Sequence, residues 1–121
     1  MSKLILVVED QEDNRRIMRD LLSSAGYEII EAVTGEEGVA AAENHRPDLI
    51  LMDIQLPGLD GYEATRQIKA NPELEHIPII VVTSYALSGD DVKAFEAGCN
   101  AYVSKPFSPR ELLAKIREYL S

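Results

Sequence analysis

The sequence predicts an α/β fold: a parallel sheet with helices covering both faces. Two observations carry this. Short runs of Val, Ile and Leu, apolar at consecutive positions rather than alternate ones, recur along the 121 residues, as expected of strands buried on both sides. Between them lie stretches with apolar residues at helical spacing, and that strand–helix alternation implies parallel neighbours.

Residues 4–8 (LILVV) are the first run. A helix is expected over 12–25, with Ile17, Met18, Leu21, Leu22 and Ala25 on one face and Gly26 as its stop. Residues 27–32 alternate less cleanly and read as a strand nearer an edge. Thr34 is an N-cap candidate for a helix through Asn44, with Glu37 completing a capping box. Pro47 resets the chain before the third strand, 48–53 (DLILMD). Asp60 caps a helix to about Ala70, and ANPELEHIP reads as a polar loop. Residues 78–83 are the fourth strand, 88–97 the fourth helix and 101–104 a short fifth strand. Ser108 caps a last helix with Leu112, Leu113, Ile116 and Leu120 on its apolar face.

The totals bound the function. With 45% hydrophobic and 27% charged residues, the chain suits one domain spanning 1–121, with no output domain expected. Twenty-one acids against twelve bases, a net charge of −9, argue against nucleic acid as a partner. The apolar runs are too short to span a bilayer and no signal peptide is visible, so no membrane association is expected. The lone Cys99 makes no internal disulfide, and a reducing, cytoplasmic setting is the expectation.

Ligands of open parallel sheets bind beyond the carboxyl ends of the strands. Those ends hold Glu9 and Asp10, Asp53, Thr83, and Ser104 with Lys105. If the first and third strands are neighbours, three carboxylates converge and need compensation. A divalent cation with Lys105 would cancel their charge, and Mg²⁺, hard and oxygen-seeking, is the natural candidate. An aspartate beside such a cation, a hydroxyl and an ammonium is a candidate phosphoryl acceptor, which makes Asp53 the candidate nucleophile. Each residue also has an ordinary reading. Asp53 could cap a loop, Glu9–Asp10 could start a helix at its positive end, Thr83 is a common strand residue, and Lys105 could be a surface lysine.

Taken together, the ordered segments VVEDQEDN, LILMDIQLPGLDGYE, IIVVTSYA and GCNAYVSKPFSPREL resemble the receiver domain of two-component response regulators, over essentially the whole chain. The NPELEHIP loop and the lack of an output module are most similar to stand-alone, DivK-type members. The resemblance implies a (βα)5 flavodoxin-like three-layer sandwich with strand order 2-1-3-4-5. It implies a CheY-like phosphorylation switch in which a histidine kinase or histidine phosphotransfer protein delivers a phosphoryl group to Asp53. Such a receiver is not a conventional enzyme; it catalyses its own aspartyl phosphorylation and autodephosphorylation. Mg²⁺ would be held by Glu9 and Asp10, one through water or both directly, together with Asp53 and the backbone carbonyl of Gln55. Lys105 would pair with phosphoryl oxygens and Thr83 would swing toward them. Tyr102 would follow inward, unless it is an ordinary half-buried aromatic. Pro106 would follow a cis peptide bond that aims Lys105 into the site. Gln55 and Tyr85 would tune the lifetime, with Tyr85 shielding the acylphosphate from water.

The surface of the fourth helix, fifth strand and last helix would then engage a downstream protein target, with the receiver itself a monomer or weak dimer. Two rivals share features of this chain. A flavodoxin-like cofactor binder would place a Ser/Thr/Gly-rich loop where these acids stand. A haloacid-dehalogenase-like phosphatase would need a second acid at Gln55. His45, His76 and the Glu36, Glu37 and Glu43 face read as solvated, and Arg15, Arg16 and Arg19 as an exposed face with partner docking as the alternative.

Overall fold

The computed structural model describes residues 2–83, 90–105 and 108–120. Five strands, β1 (Leu4–Val8), β2 (Glu28–Ala32), β3 (Leu49–Met52), β4 (Ile79–Thr83) and β5 (Ala101–Ser104), alternate with five helices. These are α1 (Glu12–Ser24), α2 (Gly35–His45), α3 (Gly61–Ala70), α4 (Asp90–Ala97) and α5 (Pro109–Leu120). All pairings are parallel and the order is β2-β1-β3-β4-β5, the expected 2-1-3-4-5 sheet.

Consecutive strand residues feed two cores, which is why the runs are apolar at every position. Ile5, Val7, Leu49, Leu51, Ile80 and Val82 meet Met18, Leu22, Leu112 and Ile116 of α1 and α5. On the opposite face Leu6, Val8, Ile50, Met52, Ile79 and Val81 meet Ala42, Ala64, Ile68 and Ala94 of α2, α3 and α4. At about 25 cal/mol per Å² of apolar surface removed from water, these two layers are the main stabilising term.

Local signals behaved largely as their chemistry dictates. Gly26 follows α1 at φ +93°, a conformation open to glycine. The Thr34 side chain accepts from Glu37 N–H at 3.0 Å and the Asp60 side chain from Glu63 N–H at 2.9 Å. The capping box is displaced by one residue, however. The Glu37 carboxylate reaches back to Val33 N–H, at 3.4 Å, instead of to Thr34.

Other expectations are corrected. Ile17 is 56% exposed and Ala25 also faces water, so the buried face of α1 centres on Met18 and Leu22. The ANPELEHIP segment is not polar throughout: Leu74 and Ile77 are 1% exposed and complete the core beneath α3.

Candidate phosphoacceptor and metal site

The sheet register builds the site. Val8 lies opposite Met52, and the next rung is an Asp53 N–H donating to the Val8 carbonyl at 3.0 Å. Glu9 N–H donates to the Ala32 carbonyl at 3.0 Å. Both acids are therefore fixed, by backbone bonds, one residue past the apolar ladder. Oxygens of Glu9, Asp10 and Asp53 all lie within 4.8 Å of one another. Lys105 comes from the far side of the sheet, its N–H bonded to the Thr83 carbonyl at 2.7 Å. Its Nζ stands 2.5 Å from Glu9 Oε1 and 3.7 Å from Asp53 Oδ2.

Each carboxylate has further donors. Asp53 Oδ1 accepts from Ile54 N–H at 2.7 Å and Glu9 Oε2 from Gln11 N–H at 3.2 Å. Asp10, half-buried, faces the Gln11 side-chain amide, Nε2 to Oδ2 3.4 Å.

The electrostatics divide the two inner acids. Burial, then the hydrogen bond to Glu9 and its charge, raise Asp53 to about 7 against the pull of Lys105. Burial also works to raise Glu9, but the hydrogen bond and charge of Lys105, with Asp53 beside it, hold Glu9 below the ordinary carboxylate range. Each of the two carboxyls is in the other's field, so the ionisation of one depends on that of the other. An all-oxygen, net-negative cluster with a proton it holds only weakly near neutrality suits a hard divalent cation.

The remaining expected residues are placed as follows. Thr83 closes β4, fully buried, on the strand beside β3 and opposite Ser104. Tyr102 is half-buried on β5 against the α2/α3/α4 core. Gln55 is exposed in the loop after Asp53. Tyr85 and Pro106 lie outside the described residues.

Residues 5–117 match the response regulator receiver domain family. The chain belongs to that family. It is 47% identical over 120 residues to the polar-differentiation response regulator DivK of Brucella anthropi, covering 99% of this chain and 98% of that one. The receiver domain of a sensor histidine kinase from Pseudomonas aeruginosa PAO1, crystallised with magnesium coordinated in its active-site cleft, superposes with TM-score 0.93. It is 40% identical and covers 99% of this chain and 98% of its own. A CheY-like receiver from Methanospirillum hungatei JF-1 superposes at 0.92 with 37% identity, covering 99% and 94%.

For a receiver, two second-layer contacts stand out that residue type alone did not suggest. The sequence suggests an exposed face for Arg15, yet its side chain is 12% exposed and donates to the Glu9 carbonyl at 2.9 Å. Glu36, read as solvated, accepts from Leu59 N–H at 3.2 Å and so ties the loop after Asp53 to α2. A usable signal existed for Arg15. Helical side chains lean toward the N-terminus, and Arg15 sits one turn into α1, where that lean carries it back over the Glu9–Asp10 turn.

Proposed function

We propose that this chain is a phosphorylation switch that takes a phosphoryl group from the phosphohistidine of a kinase or phosphotransfer protein onto Asp53. The observation that carries the reading is the convergence of three carboxylates within 4.8 Å with the Lys105 ammonium 3.7 Å from Asp53. An Asp53 oxygen attacks phosphorus, the phosphorus–nitrogen bond breaks, and its electron pair returns to the imidazole of the donor. Attack needs the carboxylate form, so a group raised to about 7 requires added positive charge to stay ionised.

Asp10, Asp53 and the Gln55 carbonyl are the candidate direct Mg²⁺ ligands. Glu9, whose two oxygens are engaged by Lys105 and Gln11 N–H, would contribute through water. Bound there, Mg²⁺ supplies positive charge against the phosphoryl oxygens. Lys105, 3.7 Å from Asp53, would pair with a phosphoryl oxygen, and Thr83 would donate its hydroxyl to another. Tyr102 then moves inward, and Tyr85 screens the acylphosphate from water.

The output is a changed α4–β5–α5 surface that a downstream protein reads. Supporting this, Val92 and Phe95 of α4 are 54% and 51% exposed, and β5 and α5 line a groove of Tyr102, Ser104, Ala114 and Lys115. The receiver acts in the cytoplasm, monomeric or weakly dimeric. The full two-state range requires about 5.5 kcal/mol of differential stabilisation, within reach of a group bringing up to about −2 charge to Lys105 and Thr83.

Intact mass after incubation with acetyl phosphate tests the reading. One added phosphoryl group is expected in the wild type with Mg²⁺, and none with a chelator or in Asp53→Asn. An adduct that persists in Asp53→Asn would overturn the assignment.

A further inference from the structure

We infer that Arg15 is a positioning residue for the Mg²⁺ cradle, acting on the peptide that joins its two adjacent acids. The inference rests on the reading of Glu9, Asp10 and Asp53 as the Mg²⁺ site. The Glu9 carbonyl lies between the end of the sheet ladder and the first turn of α1, which begins with Arg15 N–H bonding the Gln11 carbonyl at 3.0 Å. In that gap it receives Arg15 Nη1 at 2.9 Å. The carbonyl belongs to the Glu9–Asp10 peptide, so fixing its plane fixes the directions in which both carboxylates leave the backbone.

The guanidinium is itself held on its other edges. Arg15 Nη2 is paired with Glu12, and Nε stands 3.3 Å from Glu31 Oε1 on β2. Glu31 is anchored in turn by Arg19, through contacts of 2.8 and 2.9 Å. A planar fork spreads its donors over several edges in fixed directions and so reaches a carbonyl and two carboxylates set apart around it, whereas an ammonium carries its three donors on one compact nitrogen. The chain Glu31–Arg15–Glu9 carbonyl thus links the edge strand to the cradle through a side chain that is not one of its three acids.

Charge and position predict opposite signs, which makes the inference testable. A guanidinium beside a cation site repels the cation, so if Arg15 acted only as a charge its loss would tighten Mg²⁺ binding. If it orients the acids, its loss weakens binding, as removal of outer-layer partners of metal ligands does, typically by 10–100-fold.

Calorimetric titration of the full chain with MgCl₂, with circular dichroism to confirm folding, separates the two. Arg15→Met is expected to bind Mg²⁺ about tenfold more weakly than wild type. Arg15→Lys, which keeps the repelling charge but not the fork, should bind no more tightly than Arg15→Met, and Glu31→Gln should weaken binding less than either. Unchanged or tighter binding in Arg15→Met overturns the inference. Should that variant not fold, wild-type affinity in both Arg15→Lys and Glu31→Gln overturns it equally. A wild type that takes up no Mg²⁺ overturns the cradle itself, a result distinct from variants that match a binding wild type.

Discussion

Lys105 Nζ sits 2.5 Å from Glu9 Oε1 but 3.7 Å from Asp53 Oδ2, so the ammonium neutralises Glu9 before Asp53. Glu9 is 1% exposed, and removing its partner leaves a buried charge uncompensated. Breaking such a pair costs about 3–5 kcal/mol. Lys105→Met is therefore expected to lower stability by about 3 kcal/mol in chelator, and by clearly less in saturating Mg²⁺, where the cation replaces the lost charge. Urea unfolding under both conditions measures it. An equal loss in both would mean that Lys105 serves packing and not charge balance.

The pH dependence follows from Asp53. Its folded-state value, raised to about 7 by burial and Glu9, exceeds the unfolded value of about 3.9. Between those values the folded form keeps a proton that the unfolded chain has released. The stability tied to that proton is present below about pH 4 and is lost as pH rises toward and through about 7. Glu9, held low, has the opposite sign, and its contribution is lost on acidification below the ordinary carboxylate range. In chelator, Asp53→Asn should flatten the decline between about pH 4 and 7 and exceed wild type in stability above it. Unfolding curves across that range check both, and a decline as steep in the variant as in wild type would assign it to other groups.

The strand ends were legible in the sequence because a doubly covered parallel strand cannot carry Glu9, Asp10 or Asp53 inside its run. The point where each run turns acidic therefore marks the sheet's edge and the site together. What stayed hidden depends on register and on distant partners. Apolar spacing gives the width of the α1 face but not its centre, so it places Ile17 on the buried side although Ile17 is 56% exposed. Leu74 and Ile77 stand among prolines and acids, where no period of either kind is long enough to read. Arg15 and Glu36 look like exposed helix charges because the groups that engage them, the Glu9 carbonyl and Leu59 N–H, are main-chain atoms of other segments.

Gly61 opens α3 directly against the backbone of Asp53. A Cβ there would come within 2.0 Å of the Asp53 carbonyl oxygen and 2.7 Å of the Ile54 Cα, both of them backbone atoms that cannot rotate aside. Gly61 N–H also donates to the Ile54 carbonyl at 3.0 Å, so the two segments are joined where they touch. Gly61→Ala should cost about 3 kcal/mol by overpacking and reduce the stabilisation gained from Mg²⁺, because relief requires moving Asp53. Thermal unfolding with and without Mg²⁺ measures both effects, and a loss of stability with full Mg²⁺ response would show that the strain relaxes away from the site.

Cys99 should be chemically silent in the native state. It is 7% exposed, and burial pushes its thiol up to about 11, against a weaker pull from Lys69. The thiolate is the reactive form, so at neutral pH the folded chain holds almost none of it. Access is blocked as well. Lys69 lies against Gly98, and its ammonium is tied to the Glu75 and Ile77 carbonyls at 3.0 and 2.7 Å. A disulfide reagent should therefore label Cys99 only through opening of the fold, at a rate that rises with denaturant and falls when Mg²⁺ stabilises the native state. Rapid labelling that ignores both denaturant and Mg²⁺ would place the thiol at a locally open site, and Lys69→Ala would then fail to accelerate it.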